Sequence, residues 1–435
     1  MVHKHGLTWV VVFGVIMLMF LRLPPMAATQ DAIVHTYSAL VEVDALAKQQ
    51  FVEPILDDRL VDGAIRGMML QLDPYSGYIS PEELPAFERR SRGNFSGVGL
   101  ELGARGGQIV VIAPVEGSAA ARAGVLAGDV IVTVDGKSLD GRSVFDVEEM
   151  LTGTPGTRVS LEVRRTDRED AKLLTLTRGP VHLKTVRGFR RDPWSGRWDF
   201  MIDRAAGAAY LRVSNFRENT IADFDAALRE VLDAGAKSLI LDLRFNPGGL
   251  MQSAVEMADR FLDSGVIVST MTRLRAVEEY RAVPEGTVQN IRLVILVNGG
   301  SASSAEIVAG SLQARGRATI VGERSFGKGS VQHLIHLRGH AAAVKLTVAY
   351  YRLPDGRIIH RTEANAASDA WGIKPDVVVP LDDAEREAIR VSRNAADNFE
   401  GTDERTESGG NHAQILQDRQ LSAARRAAMV DAAPN

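Results

Sequence analysis

Between Asn298 and Gln332 the chain reads Asn-Gly-Gly-Ser-Ala-Ser303-Ser-Ala-Glu306 and then Gly322-Glu-Arg-Ser-Phe-Gly327-Lys328-Gly-Ser-Val-Gln332. Leu293 to Val297, just before it, is a short apolar run bounded by turn residues, which predicts a buried strand. Ala305 to Ala314 places Ile307, Val308 and Leu312 at helical spacing and stops at Gly316, which predicts a helix. A strand that turns straight into a helix is the unit of an α/β layer. Ser303 sits at that junction, beside the unpaired N–H groups and the positive dipole end of the helix, which suits a nucleophile whose reaction develops an oxyanion. The Ser303-x-x-Glu306 spacing also fits a capping box, a purely structural role.

The second half of the stretch adds a candidate base. Ala318 to Val321 predicts a strand, a glycine-rich loop follows as far as Lys328, and Val331 to Leu337 predicts another strand. A lysine acts as a general base only where desolvation or neighbouring donors lower its pKa, and a tight loop walled by Phe326 could supply that; otherwise Lys328 is a solvated loop lysine. Gly322-x-x-x-x-Gly327-Lys328 fits a phosphate loop up to its last position. There Gly329 stands where Ser or Thr should hold magnesium, and a strand follows where a helix is required.

These residues resemble the carboxyl-terminal processing peptidases, also called tail-specific proteases, whose core carries a Ser-Ala-Ser-like turn opening a helix, then Phe-Gly-Lys-Gly and a nearby Gln. The resemblance implies Ser303 as nucleophile, Lys328 as general base and Gln332 as the residue orienting the lysine. The spacing of 25 residues (328 − 303) agrees with the family pattern. The family has Ala-Ser where this chain has Ser304-Ala305, and Ser301 and Ser304 stand as rival serines.

At 435 residues, 45% hydrophobic and 24% charged, the chain is long enough for two or three domains, and a net charge of −4 argues against a nucleic-acid partner. It has no cysteine, which excludes disulfides and thiolate chemistry. No metal-ligand cluster is visible, so no metal and no cofactor are expected. Leu7 to Leu21 is a largely apolar run after His3, Lys4 and His5; at about 15 residues it suits a signal-peptide core better than a full membrane span of about 20. Residues 1–28 are therefore expected to direct export to a periplasmic or extracytoplasmic location, as a cleaved signal peptide or as an N-terminal membrane anchor.

Residues 29–92 read as a helical region, with apolar faces over 31 to 72 and a turn at Leu72-Asp-Pro-Tyr-Ser-Gly-Tyr78. Residues 93–180 have the strand and glycine pattern of a PDZ domain, which Ala127-Gly128-Asp-Val-Ile-Val-Thr-Val-Asp-Gly136 makes specific. Its loop Gly97-Val98-Gly99-Leu100 would offer backbone N–H groups to a peptide's C-terminal carboxylate while the peptide adds as a strand to the sheet edge. Residues 181–381 alternate strand and helix. Within them Ser238 to Leu243 predicts a strand that delivers Arg244-Phe-Asn246-Pro247-Gly248-Gly249 to a turn, and such turns are where α/β sites are built. By the family resemblance, the amide of Gly248 or Gly249 and the amide of Ser304 supply the oxyanion donors. Residues 382–435 form a charged, alanine-rich tail, with a helix over Ala384 to Asn394 and a polar, disordered stretch over Thr402 to Asn411.

The expected whole is an α+β multidomain chain: an N-terminal helical region, a PDZ domain and an α/β, crotonase-like protease core. The expected function is a serine endopeptidase that selects proteins or peptides by free, apolar C-termini and cleaves them through a Ser-Lys-Gln acyl-enzyme mechanism; an adaptor protein and a homo-oligomer are left open as partners. The alternatives are a Ser-His-Asp hydrolase using His333 or His336 with Asp242, a catalytically inactive PDZ scaffold, and a crotonase-like enzyme acting on acyl thioesters.

Overall fold

A computed structural model describes residues 26–429 apart from 56, 86, 89–93, 106, 116, 127, 166–169, 183, 193–196, 275–276 and 398–417. The apolar run at 7–21 and the polar stretch at 402–411 lie outside the described residues. Among the described residues no helix is long and apolar enough to cross a membrane.

The N-terminal unit, ending at Tyr78, holds the helices Met26–Gln50 and Asp57–Leu70. The break between them falls at Phe51-Val-Glu-Pro54. Proline has no N–H for the ladder and pushes the residue before it out of helical geometry, so one helix cannot run through.

The second unit begins with a sheet ordered Leu100–Arg105, Gln108–Pro114, Val130–Val134, Arg158–Arg164, Ala171–Thr177. Alternate residues Val159, Leu161 and Val163 turn inward to a core shared with Val98, Leu102, Val111, Val134 and Val147, the period-two pattern of a half-buried strand. Leu100–Arg105 ends the strand order, and the helix Val144–Leu151, closed by a Ser143–Asp146 capping box, packs beside it.

The remaining core is a mixed sheet whose parallel run is ordered Ala208–Val213, Ser238–Asp242, Arg292–Val297, Ala318–Gly322, Val377–Val378, with Val186–Arg187 and Met201–Asp203 pairing antiparallel to Ala208–Val213. Both faces of its central strands are buried, as all-parallel strands require. Leu239, Leu241, Leu293, Ile295 and Val297 face the helices Thr220–Asp233, Met251–Asp259 and Ser304–Ala314. Tyr210, Ile240, Val294 and Leu296 face the other way, onto Leu421, Ala424 and Ala428 of a helix at Arg419–Met429. A second, antiparallel sheet runs from Ser330–His336 to Ala343–Arg352, Val266–Thr272 and Val277–Arg281. The tail helix expected over 384–394 spans Asp383–Asp397, while the helix at Arg419–Met429 had no counterpart among the expected elements.

Candidate active site

Arg292–Val297 runs into the turn Asn298-Gly-Gly-Ser-Ala, and Ser303 immediately precedes the helix Ser304–Ala314. The backbone at Ser303 has φ 57° and ψ −117°, a sparsely populated region that costs on the order of 1–3 kcal/mol for a residue with a Cβ. Asp135, Phe245 and Ser303 are the non-glycine residues with positive φ among the described residues, and two of the three meet here. Such strain at a strand-to-helix turn lifts the serine hydroxyl out of the helix's own capping pattern. Ser303 makes no side-chain cap hydrogen bond, and the Glu306 amide donates to the Ser303 carbonyl oxygen at 2.8 Å. The Ser303 hydroxyl instead lies 3.3 Å from the phenol oxygen of Tyr351.

The rival serines are committed elsewhere. Ser301 Oγ donates to the Leu243 carbonyl at 2.8 Å and accepts from the Asn298 amide at 2.9 Å. Ser304 Oγ donates to the Gly249 carbonyl at 2.9 Å.

Glu306 has no accessible surface and ties two segments together. One carboxylate oxygen accepts from the amides of Ser303 and Lys328, each at 2.8 Å, so those two backbone nitrogens lie within twice that distance of each other. The other oxygen accepts from the Gly327 amide at 2.7 Å and from the Ser325 hydroxyl. Burial pushes the Glu306 carboxyl above its ordinary range, against the pull of these four donors. The Phe326 amide donates to the Ser301 carbonyl at 2.9 Å, a further tie between the lysine loop and the Ser303 turn. The carbonyls of Gly327 and Gly329 accept from Arg361 and Tyr351 at 2.8 Å. Lys328 is half-buried, but Phe326, expected to wall the loop, is 46% exposed and does not enclose it. Gln332 spends its amide nitrogen on Ser330 Oγ at 2.9 Å and Thr347 Oγ1 at 3.1 Å, which leaves its carbonyl oxygen as the end open to a cation.

The amides of the glycine pair are used differently. The Gly248 amide donates to Asn246 Oδ1 at 2.8 Å and is thereby occupied, whereas the amides of Gly249 and Ser304 donate to no acceptor among the described residues. Of the two glycine amides, that of Gly249 is the one not spent on an acceptor among the described residues. Gly248 has φ 97°, and a Cβ there would lie 2.7 Å from Ser303 Cβ. At Gly249, with φ 137°, a Cβ would lie 2.0 Å from the Phe216 carbonyl oxygen, which cannot yield because it also accepts from Leu250 at 2.9 Å. Gly249→Ala is therefore expected to cost about 3 kcal/mol or more of folding stability, read as a lower urea midpoint at unchanged slope.

His333 and His336 are exposed, and His336 faces Glu88 at 3.6 Å. Asp242 is fully buried and accepts from Tyr210 Oη at 2.8 Å, from Arg244 and from Arg393. Burial alone would raise its carboxyl, but Arg244 and Arg393 beside it hold it well below the usual carboxylate range. The acid of the proposed His triad is thus consumed in an ion cluster.

Residues 207–379 match Peptidase family S41, residues 110–165 a PDZ domain, and residues 26–83 the activating protease CtpB N-terminal domain. The chain is similar to a carboxy-terminal-processing protease of Bartonella bacilliformis, 35% identical over 353 residues covering 79% of this chain and 76% of the relative. The chain belongs to the carboxy-terminal processing protease family. Another relative, a carboxyl-terminal-processing protease of Synechocystis, is 34% identical over 338 residues, covering 77% of this chain and 74% of that one. Among solved structures, the photosystem II D1 C-terminal processing protease is 32% identical, with 80% of this chain and 90% of that one covered at a TM-score of 0.46.

The protease is accordingly a serine-type peptidase with a PDZ domain. In that domain the loop Gly97–Leu100 is buried, its Val98 and Gly99 carbonyls accepting from Ala120 and Val115 at 2.9 Å.

Two site residues escaped sequence reasoning. Glu306 was legible only as a capping partner, although its carboxylate reaches across to the lysine loop. Tyr351 was one residue of an alternating strand; burial pushes its phenol up, so it stays neutral and able to hold the Ser303 hydroxyl. Tyr351→Phe removes one hydrogen bond of ordinary strength and is expected to lower kcat/KM about 2- to 10-fold, measured by initial rates on a peptide substrate.

Proposed function

We propose that this protease cleaves proteins and peptides selected by a free, apolar C-terminus, using Ser303 as nucleophile, neutral Lys328 as general base and Gln332 to hold the lysine. The observation that carries the reading is the shared Glu306 oxygen, which fixes the Ser303 and Lys328 amides around one point while Ser301 and Ser304 are spent on carbonyls. Lys328 takes the proton from Ser303 Oγ as that oxygen attacks the peptide carbonyl carbon. The Gly249 and Ser304 amides stabilise the tetrahedral oxyanion, an effect worth about 100- to 1,000-fold per donor. Collapse breaks the C–N bond, and the leaving amine takes the proton back from the lysine. Water then gives a proton to Lys328 as it attacks the acyl ester, and collapse of the second tetrahedral intermediate breaks the C–O bond to Ser303 while Lys328 returns that proton to Ser303 Oγ, releasing the carboxylic-acid product and restoring both groups.

Substrate selection falls to the PDZ domain, where a peptide would add as a strand to the outer edge of Leu100–Arg105, the strand that ends the sheet order beside the helix Val144–Leu151. The apolar Leu7–Leu21 run supports work outside the cytoplasm, and recovery of the active protease from the cytosolic fraction alone would remove that part of the proposal. A fluorophosphonate or peptide-boronate probe followed by mapping of the modified residue tests the site: modification of Ser303 is expected, and modification of Ser301 or Ser304 instead would overturn it. Excising residues 97–176 is expected to abolish the preference for free over amidated C-termini; an intact preference would refute PDZ selection.

A further inference from the structure

The helix Arg419–Met429 covers the sheet face opposite the three core helices, and its leading residues reach the turn that carries Gly249. Asp418 and Gln420 are buried there, with Asp418 accepting from the Leu421 amide at 3.0 Å as a helix cap. Both also hold Arg244, which is only 2% exposed. Arg244 Nη1 donates to Asp418 Oδ1 at 3.0 Å and Gln420 Oε1 at 3.1 Å, and Nη2 lies 2.8 Å from Asp418 Oδ2. Its remaining donors go to Asp242 at 2.7 to 3.1 Å. Gln420 is itself pinned by donating to the Val379 carbonyl at 2.8 Å.

Arg244 opens the segment that forms the oxyanion wall. The next residue, Phe245, has φ 60°, and its amide donates to Asn298 Oδ1 at 2.9 Å. Asn246 then accepts the Ala302 amide on its carbonyl at 2.9 Å and the Gly248 amide on its side chain. Arg393 donates to the Arg244 carbonyl at 3.0 Å and lies over the Phe245 ring at 5.2 Å. Within this cluster two carboxylates, Asp242 and Asp418, balance two guanidiniums, Arg244 and Arg393. Removing Asp418 leaves a buried excess of positive charge on Arg244, the guanidinium it holds, which favours moving Arg244 and with it the strained turn.

We propose that Asp418 and Gln420 are positioning residues for catalysis: through Arg244 they hold the 244–249 turn so that the Gly249 amide points at the developing oxyanion. The tail beyond residue 381 is thereby part of the reaction apparatus. The inference rests on the proposed role of Gly249 and Ser304 as oxyanion donors.

The test compares full-length Asp418→Asn with full-length Leu421→Ala, which loosens the same helix without touching Arg244. For each, kcat, KM, melting temperature and the inhibition constant of a peptide aldehyde, which binds as a tetrahedral oxyanion, are measured. Asp418→Asn is expected to lower kcat and weaken the aldehyde by the same factor, about 10- to 100-fold, with KM within about 2-fold, as a displaced catalytic dipole would. Leu421→Ala is expected to lower the melting temperature with kcat unchanged, and Asp418→Glu to recover part of the lost kcat. Equal kcat losses at equal melting shifts in Asp418→Asn and Leu421→Ala, or an Asp418→Asn enzyme with unchanged kcat, would overturn the inference. Normal probe modification of Ser303 in the unaltered chain separates either result from a failure of the proposed nucleophile.

Discussion

Lys328→Ala is expected to lower kcat by roughly 10,000-fold or more, to the level of Ser303→Ala, and the double variant is expected to be no worse than either single one. In the proposed mechanism nucleophile and base act as one unit, so removing the second after the first is expected to cost nothing further. Lys328→Arg discriminates between a base and a merely cationic loop residue. A guanidinium stays protonated at any working pH, so this variant keeps the charge and loses the proton acceptor, and it is expected to be as inactive as Lys328→Ala. His333→Ala and His336→Ala are expected to keep activity within about 3-fold, because both imidazoles are exposed and Asp242 is locked among Tyr210, Arg244 and Arg393. The measurement is steady-state kcat and KM on a peptide with a free C-terminus. Loss of activity with a histidine variant and its retention with Lys328→Arg would end the Ser-Lys reading.

Local signals made much of this legible in advance. The apolar run before Asn298 and the helical spacing of Ile307, Val308 and Leu312 place Ser303 at a strand-to-helix junction, and period-two alternation marks the PDZ strands. What escaped depends on contacts between distant segments. That the Gly248 amide is spent on Asn246 while the Gly249 amide is not is decided by the φ values of one turn. The tail helix was hidden for a different reason. Arg419–Met429 is rich in arginine and alanine and reads as a charged tail, yet Leu421, Ala424 and Ala428 recur at intervals of three and four on one face. Alanine contributes little to hydrophobic contrast, but against a sheet face lined by Ile240, Val294 and Leu296 a small-residue stripe allows close approach. The antiparallel strands Val266–Thr272 and Val277–Arg281 sit inside a crossover that would ordinarily hold only a helix, and their alternation is weak because several of their residues are polar.

Glu306→Ala is expected to cost about 3–5 kcal/mol of folding stability and to abolish activity, since it leaves three backbone amides and the Ser325 hydroxyl without their buried acceptor. Glu306→Gln separates the two effects. The side chain keeps its shape, but one end becomes an NH2 donor that must face N–H groups, so the Ser303 and Lys328 segments move apart and kcat falls by about 100-fold with a smaller loss of stability. The same residue sets an acid limit. Because burial raises the folded carboxyl above its ordinary value, Glu306 binds its proton more readily in the folded state than in the unfolded one. Its contribution to stability is therefore greatest below the ordinary carboxylate range and is lost as pH rises through the folded value. Catalysis has the opposite requirement, since only the ionised form accepts all four donors. Activity is expected to fall, as pH is lowered, at a pH above the range where exposed carboxylates titrate, with no matching loss of melting temperature from this group. A pH–rate profile taken beside melting curves checks it; activity and stability declining together on the acid side would assign the limb to general unfolding and leave Glu306 a structural brace only.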